Sequence, residues 1–433
     1  MSRCSNDRSR LPRHSLLVAA LTLAGAVHFA QAEPVKAVEE AAQSQRQPML
    51  DTMRDLVSIE SGSKDTEGLA KIAALIADRL KALGGQVEVI KPTDVFRMDD
   101  TPPSVGQMVH AEFKGTGTKK IMLIAHMDTV YLKGMLKDQP FRIDGDKAYG
   151  LAIADDKHGV ATILHSIAIL QKLGFKEYGT LTVLINGDEE ISSPGARSTI
   201  TRVAADQDAV FSFEGSADGS VRLATSGIGA AYLTVTGKTS HAGARPEGGV
   251  NALYEMSHQL LQMQNLSQND IGLKLNWTVA KAGTNRNVIP GEATAQADAR
   301  ALKVSDFDAL EKALQERVKN KLLPDSKVEV KFEVRRPPLE PSAASRKLGG
   351  HARTIYAELG LPMKVIDTAN GGGTDAAFAS LKARGAVIEG MGLLGFGAHS
   401  NDAEYVQISS IVPRLYLTTR LVMDLSQDKV QVQ

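Results

Sequence analysis

Three short apolar runs, Ile121–Ala125, Thr182–Asn186 and Ala209–Phe213, constrain the fold of this chain most, because each stops abruptly at acidic or histidine side chains. A strand buried on both faces reads as an unbroken hydrophobic run, and in an open α/β sheet the ligand crevice lies beyond the carboxyl ends of such strands. His126, Asp128, Glu189, Glu190 and Glu214 would therefore meet along one edge of one sheet. Helical stretches flank these runs. Two lie between Met49 and Leu83 and lead into a strand at Gln86–Ile90, and another follows Gly159, where Val160, Ile163, Leu164, Ile167 and Leu170 repeat at helical spacing before a capping Gly174.

After Gly227 the pattern changes. Strand signals at Ala230–Thr236, Leu275–Lys281, Glu292–Arg300 and Lys327–Val334 alternate with helical ones at Asn251–Gln264 and Ser305–Lys321, giving the order β-α-β-β-α-β of a split βαβ unit. Arg335-Arg336-Pro337-Pro338 then breaks the pattern, and α/β signals resume from Ala343 to an apolar helix near Ile411–Met423. A small unit inserted into a larger α/β one accounts for this order, and His399 comes from the second half of the larger one.

The first residues carry Arg3, Arg8, Arg10 and Arg13, then an apolar run from Leu16 to Val27, then Ala30-Gln31-Ala32. That is the layout of a cleavable export signal, and the run is too short for the ~20 residues of a membrane span. Cleavage after Ala32 would remove four arginines and one aspartate, moving the formal charge from zero to three negative. About 400 residues remain, which points to two domains. With no basic excess, nucleic acid is not an expected partner. The only cysteine, Cys4, falls in the discarded segment, so an oxidising periplasmic or extracellular location poses no thiol problem.

Imidazole and carboxylate side chains at strand ends suit zinc, and a hydrolytic pair of ions about 3.5–4 Å apart needs a carboxylate that bridges both. Asp155 follows a turn of small residues, Tyr149 to Ala154, and precedes a helix, which makes it the natural bridge. His126 offers a terminal ligand. Asp128, two residues on, lies on the same side of an extended segment and can hold the second imidazole nitrogen. Adjacent side chains diverge, so of Glu189 and Glu190 one can bind metal while the other accepts a proton from the attacking water. Alone, a His-x-Asp or an acidic pair reads as surface; five such signals in order read as a two-zinc hydrolase site. His110, His165, His258 and His351 lack acidic neighbours in comparable settings and read as surface or core histidines. Gly371-Gly372-Gly373-Thr374-Asp375 lacks the Lys-Ser/Thr ending of a phosphate loop, but its backbone N–H groups could bind a carboxylate.

With Pro140 to Gly150, Ser240-His241-Ala242-Gly243, Asn287-Val288-Ile289-Pro290, Gly371 to Ala376 and Gly395 to Ser400, the chain resembles the co-catalytic zinc amidohydrolases and carboxypeptidases from about Met49 to Leu425. That family includes aminoacylases and desuccinylases, and the likeness is closest to bacterial glutamate carboxypeptidases of the carboxypeptidase G type. The resemblance implies an α/β fold, with a zinc-dependent exopeptidase-like catalytic domain on a mixed, largely parallel sheet and an inserted ferredoxin-like βαββαβ dimerisation lid. The corresponding segments are a signal peptide at 1–32, catalytic domain at 33–226 and 337–433, and lid at 227–336. It implies two zinc ions per subunit, one held by His126, Asp155 and Glu214, the other by Asp155, Glu190 and His399. Glu189 would be the catalytic base and Asp128 would orient His126. His241 would reach the neighbouring subunit's site in a homodimer to stabilise the oxyanion. Asn287, Arg336, Gly372, Gly373 and Thr374 would hold the substrate's terminal carboxylate, and Arg300 matches a further substrate-binding arginine of the family.

The chain departs from that pattern at Leu151-Ala152, where close relatives have Gly-Pro, and at His158, where they have a small residue. A lysine expected near Ser220 for a glutamate side chain is missing, with Arg222 nearby but not aligned. The expected activity is hydrolysis of the amide bond to a C-terminal amino acid, with glutamate preferred, in N-acyl amino acids, peptides or folates. An aminoacylase or dipeptidase of broader preference is the alternative. A catalytically inactive binding protein is the remote one, opposed by the intact Glu189 and ligand set.

Overall fold

The structure is a computed structural model that describes residues 33–400 and 404–432, so the export signal expected over 1–32 lies outside the described residues. The central sheet runs Gln86–Ile90, Met108–Lys114, Thr180–Asn186, Lys120–His126, Ala209–Ser212, Ala386–Ile388 from edge to edge. Its first two junctions are antiparallel and the remaining three parallel, so the sheet is mixed and largely parallel.

The continuous apolar runs are explained by burial on both faces. Ile121, Leu123 and Ala125 point into one core, shared with the helices Arg46–Val57, Thr66–Ala82, His158–Lys172, Ala343–Glu358 and Ile411–Ser426. Met122 and Ile124 point into the other, under Arg197–Ala204 and Ala376–Ser380. Helix ends follow local chemistry. Asp65 accepts the Gly68 N–H at 3.1 Å to cap Thr66–Ala82, and Gly174 takes φ +64° just beyond His158–Lys172, a conformation glycine enters without steric penalty.

The inserted segment forms a separate four-stranded antiparallel sheet in the order Lys274–Ala282, Glu292–Ala301, Gly227–Thr236, Lys327–Arg336. In chain order that is second, third, first, fourth, the ferredoxin-like arrangement. Along Gly227–Thr236 buried and half-exposed residues alternate, and the buried set packs with Met256, Phe307, Leu310 and Leu314 from the helices Ala252–Met263 and Val304–Arg317. Among the elements not read from the sequence are the helices Lys36–Ser44 and Arg197–Ala204, the strand Met108–Lys114, and a small sheet of Gly395–Phe396, Tyr405–Gln407, Lys147–Tyr149 and Arg142–Asp144. This last sheet ties the segment after the insert to the turn that carries Asp155, and Phe396 stacks on Tyr405 with ring centres 5.0 Å apart. No helix among the described residues is long and apolar enough to cross a membrane.

Candidate active site

The three strand ends converge. His126 closes the strand Lys120–His126 and is buried, with its Nε2 3.0 Å from Asp155 Oδ1 and 3.4 Å from Glu214 Oε1. His399 approaches from the far side of the chain, its Nε2 3.1 Å from Asp155 Oδ2 and 3.2 Å from Glu190 Oε2. The two oxygens of Asp155 thus face the two imidazoles, one each. Asp156, not singled out from the sequence, lies in the same group, fully buried, with Oδ2 3.4 Å from the His126 N–H.

Asp128 reaches the second nitrogen of His126 with both its backbone and its side chain. The nearest atom to His126 Nδ1 is the backbone carbonyl of Asp128, at 3.1 Å, with carboxylate Oδ1 at 3.4 Å. The carboxylate also accepts the N–H groups of Glu189 at 2.9 Å and Glu190 at 3.1 Å, and the Ser63 hydroxyl at 2.7 Å. A single buried side chain therefore fixes the imidazole and the acidic pair relative to each other.

Burial pushes the carboxyl of Glu214 up to about 7 and raises Glu189 and Glu190 as well. Hydrogen bonds donated to Asp155 and Glu190 lift His399 to about 11, and for His126 burial is outweighed by Glu214, Asp128 and Asp155, leaving it well above its usual range. Carboxylates outnumber the imidazoles that could neutralise them, and Glu190 Oε1 is buried with no hydrogen-bond partner. Paying for such a cluster takes cations, and the donor set of two imidazoles and several carboxylates fits two zinc ions.

The turn before Asp155 accommodates the departures from the family pattern. Ala152 takes φ +59°, a left-handed conformation that costs a residue with a Cβ roughly 1–2 kcal/mol. Buried Glu404 holds this turn, accepting the Ala154 N–H at 2.8 Å and the hydroxyl of Tyr131. His158 is fully buried, and its ring fits because positions 215 and 392 are glycines: an added Cβ would lie 2.8 Å from His158 Nε2 at Gly215, and 2.3 Å from both His158 Cε1 and the Phe213 carbonyl at Gly392. Gly392→Ala should consequently lower stability by ~1–3 kcal/mol, as overpacking does, measurable as a drop in Tm. His158→Ala should restore only part of that loss, because the Phe213 carbonyl remains in place.

The profile of "Peptidase family M20/M25/M40" matches residues 122–424, which contain every residue of this cluster. The chain belongs to that family. It is a metallopeptidase. Carboxypeptidase G2 of Pseudomonas sp. (strain RS-16) is 44% identical over 392 residues, covering 90% of this chain and 92% of the relative. Among solved structures, aminopeptidase PepT from Bacillus cereus superposes with a TM-score of 0.72 at 20% identity, over 88% of this chain and 98% of that one. The M20 family metallo-carboxypeptidase Sso-CP2 from Sulfolobus solfataricus gives 0.66 at 16%, over 86% and 98%. At those identities the likeness shows the fold.

On this M20 frame the remaining candidate residues fall into two groups. His241 and Asn287 sit together on a two-stranded ribbon of the insert, Ser240–His241 against Val288–Ile289, both exposed. No hydrogen bond or ion pair among the described residues joins them to the metal cluster of their own chain. His241 Nδ1 accepts the N–H groups of Gly243 at 3.2 Å and Ala244 at 3.0 Å, which leaves Nε2 as the proton-bearing nitrogen of the neutral ring. The second group surrounds the glycine turn. Arg300 pairs with Asp298 and donates from Nη1 to the Gly371 carbonyl at 3.1 Å, Gly372 is exposed, and Thr374 donates to Glu389 at 2.6 Å.

Arg336 lies deeper than the rest of this group and beside the acidic pair. Only 2% exposed, it places Nη1 2.6 Å from Glu189 Oε1 and 2.9 Å from Asp375 Oδ1, while Nη2 donates to the Glu189 carbonyl at 2.7 Å. Its Nε is buried with no hydrogen-bond partner among the described residues. Gly373 likewise makes room for it, since a Cβ there would lie 2.9 Å from Arg336 Cδ. The Ser193–Asp375–Arg336 chain escaped sequence reading because its members are far apart in the chain. Only Thr374-Asp375, within the recognised glycine motif, offered a signal.

Proposed function

We propose that this protein is an exported, dimeric zinc carboxypeptidase that removes a C-terminal amino acid, preferably glutamate, from N-acyl amino acids, peptides or folates. The observation that carries the reading is Asp155, whose two oxygens face His126 and His399, with Glu189 alongside on the Asp128 anchor. The 44% identity to Carboxypeptidase G2 over nine-tenths of the chain supports the substrate class. His126, Asp155 and Glu214 would hold one zinc, and Asp155, Glu190 and His399 the other. When bound, the ions would polarise the scissile carbonyl and ease deprotonation of the attacking water. Glu189 would take that proton and return it to the departing amine. Residues 227–336 would form the dimerisation lid between catalytic segments 33–226 and 337–433. Arg300, Asn287 and the Gly372–Thr374 turn would receive the terminal carboxylate. A cavity of about 500 Å³ beside Glu190, with Val130, Leu132 and Ile191 in its walls, gives the acyl group room.

Rates on N-benzoyl-glutamate, N-acetyl-leucine and a dipeptide, with and without added zinc, test this. N-benzoyl-glutamate should be the best substrate, and activity should follow zinc. Equal or faster cleavage of the other two would favour the aminoacylase or dipeptidase reading, to which the missing lysine near Ser220 lends weight.

His241 would serve the partner subunit's site, its outward Nε2–H donating to the oxyanion, a contribution commonly worth ~2.7–4 kcal/mol. Mixing inactive Glu189→Gln and His241→Ala proteins under subunit exchange should then restore activity, because a mixed dimer contains one site with both groups intact. Exchange without recovery would place His241 in its own subunit's chemistry or outside it.

A further inference from the structure

We propose that the cavity beside Glu190 selects a blocked, apolar acyl group, aromatic before acetyl, and that Val130 and Leu132 set this preference; the proposal rests on the carboxypeptidase reading of the site. The acidic pair divides the substrate. Glu189 turns its carboxylate to Arg336, 2.6 Å away beside the Gly373 turn, whereas Glu190 faces His399 at 3.2 Å and enters the wall of the cavity of about 500 Å³. A scissile amide lying over Asp155 therefore has the glycine turn on one side and the cavity on the other. With the leaving amino acid at the turn, the acyl group falls into the cavity.

Val130 and Leu132 follow directly on the strand end that carries His126 and Asp128, and they are 41% and 73% exposed. Apolar side chains open to water beside a reaction centre gain from a ligand that covers them, in proportion to the area covered. Their loop is fixed in advance. Glu60 Oε1 accepts the N–H groups of Gly134 at 2.7 Å and Leu136 at 2.9 Å, Lys133 pairs with Glu67 at 3.1 Å, and the Tyr131 hydroxyl donates to the Ser400 carbonyl at 2.9 Å. A wall tied in this way loses little conformational freedom when a ligand arrives.

The charges around the cavity disfavour a free amine. Of the two carboxylates in its lining, Glu190 belongs to the metal cluster and Asp65 is engaged as a helix cap, accepting the Gly68 N–H at 3.1 Å. Lys64 and Lys133, both exposed, add positive charge at the rim. An α-ammonium finds no free anion there and two cations to approach, so a dipeptide is a poorer substrate than its N-acylated counterpart.

The test compares kcat/KM on N-benzoyl-glutamate, N-acetyl-glutamate and alanyl-glutamate for the zinc-loaded wild type, Leu132→Ser and Val130→Thr. Wild type should favour benzoyl over acetyl by ~10-fold or more, the scale on which a few apolar contacts discriminate, and should cleave alanyl-glutamate slowest. In each variant the benzoyl-to-acetyl ratio should fall ~3–10-fold, with the benzoyl substrate carrying the fall. Three results would overturn the proposal: a wild type that prefers the acetyl or alanyl substrate, a ratio unchanged in both variants, or equal losses on both N-acyl substrates, which mark a merely structural defect. Sedimentation velocity run alongside adds a fourth, since dissociation of Leu132→Ser into subunits with its ratio intact would assign Leu132 to the subunit contact instead. A second measurement needs no turnover. In the Glu189→Gln background, calorimetric Kd for N-benzoyl-glutamate should weaken ~3–10-fold on adding Leu132→Ser, and Kd for N-acetyl-glutamate should weaken far less. If the wild type cleaves none of the three substrates, the carboxypeptidase reading fails, while that pair of Kd values still decides what the cavity selects.

Discussion

Glu189→Gln is expected to lower kcat by at least the ~10²–10⁴ typical of losing a general base, while both metal ions are retained. The substitution keeps the size of the side chain, and its amide oxygen can still accept from Arg336, as Glu189 Oε1 does now at 2.6 Å. The Asp128 anchor on the Glu189 N–H involves only backbone on that side and is untouched. What disappears is the ability to take a proton. Elemental analysis alongside steady-state kinetics makes the test specific, because metal loss and base loss give the same rate defect but different zinc content. Near-normal turnover would remove Glu189 from the mechanism.

Asp155→Ala should be more severe, abolishing measurable activity and leaving fewer than two metal ions per chain. Asp155 is the one residue whose oxygens face both imidazoles, at 3.0 Å from His126 and 3.1 Å from His399, so its removal takes a ligand from each ion together. By contrast Glu214 approaches only His126 and Glu190 only His399. Replacing either of those should weaken one ion more than the other, and the zinc content of the three variants compared side by side makes that asymmetry visible. Two tightly bound ions in Asp155→Ala would contradict the bridge, and would turn attention to Asp156, which lies in the same group.

Much of the architecture was legible because it depends on repeating chemistry. The runs at Ile121, Thr182 and Ala209 read as strands buried on both faces, and they are strands with alternate residues in two different cores. The βαββαβ order of the insert was legible for the same reason, each element having enough residues to show its period. Among the elements that went unread, Gly395–Phe396, Tyr405–Gln407, Lys147–Tyr149 and Arg142–Asp144 have two or three residues each and little period to show. Such strands exist only because each pairs with the next, and the central pairing, Tyr405–Gln407 with Lys147–Tyr149, joins residues more than two hundred positions apart.

In the site, residue type and strand-end position pointed to one cluster because five such signals came in order, and the resemblance supplied its division into two ligand sets. The side chains so identified do meet around Asp155. Arg336 shows where that reasoning stops. From the sequence, an arginine at the end of the lid is free to take a substrate's carboxylate; in the fold it is buried, with Glu189 and Asp375 beside it. The difference is one of partners. A sequence determines which groups can form a strong ion pair and which elements will carry them. Only the tertiary structure decides which carboxylate stands within 3 Å of which buried guanidinium, because that distance is set by the packing of Gly373, Phe378 and Ser193 around the pair, contacts with no periodicity for a sequence to display.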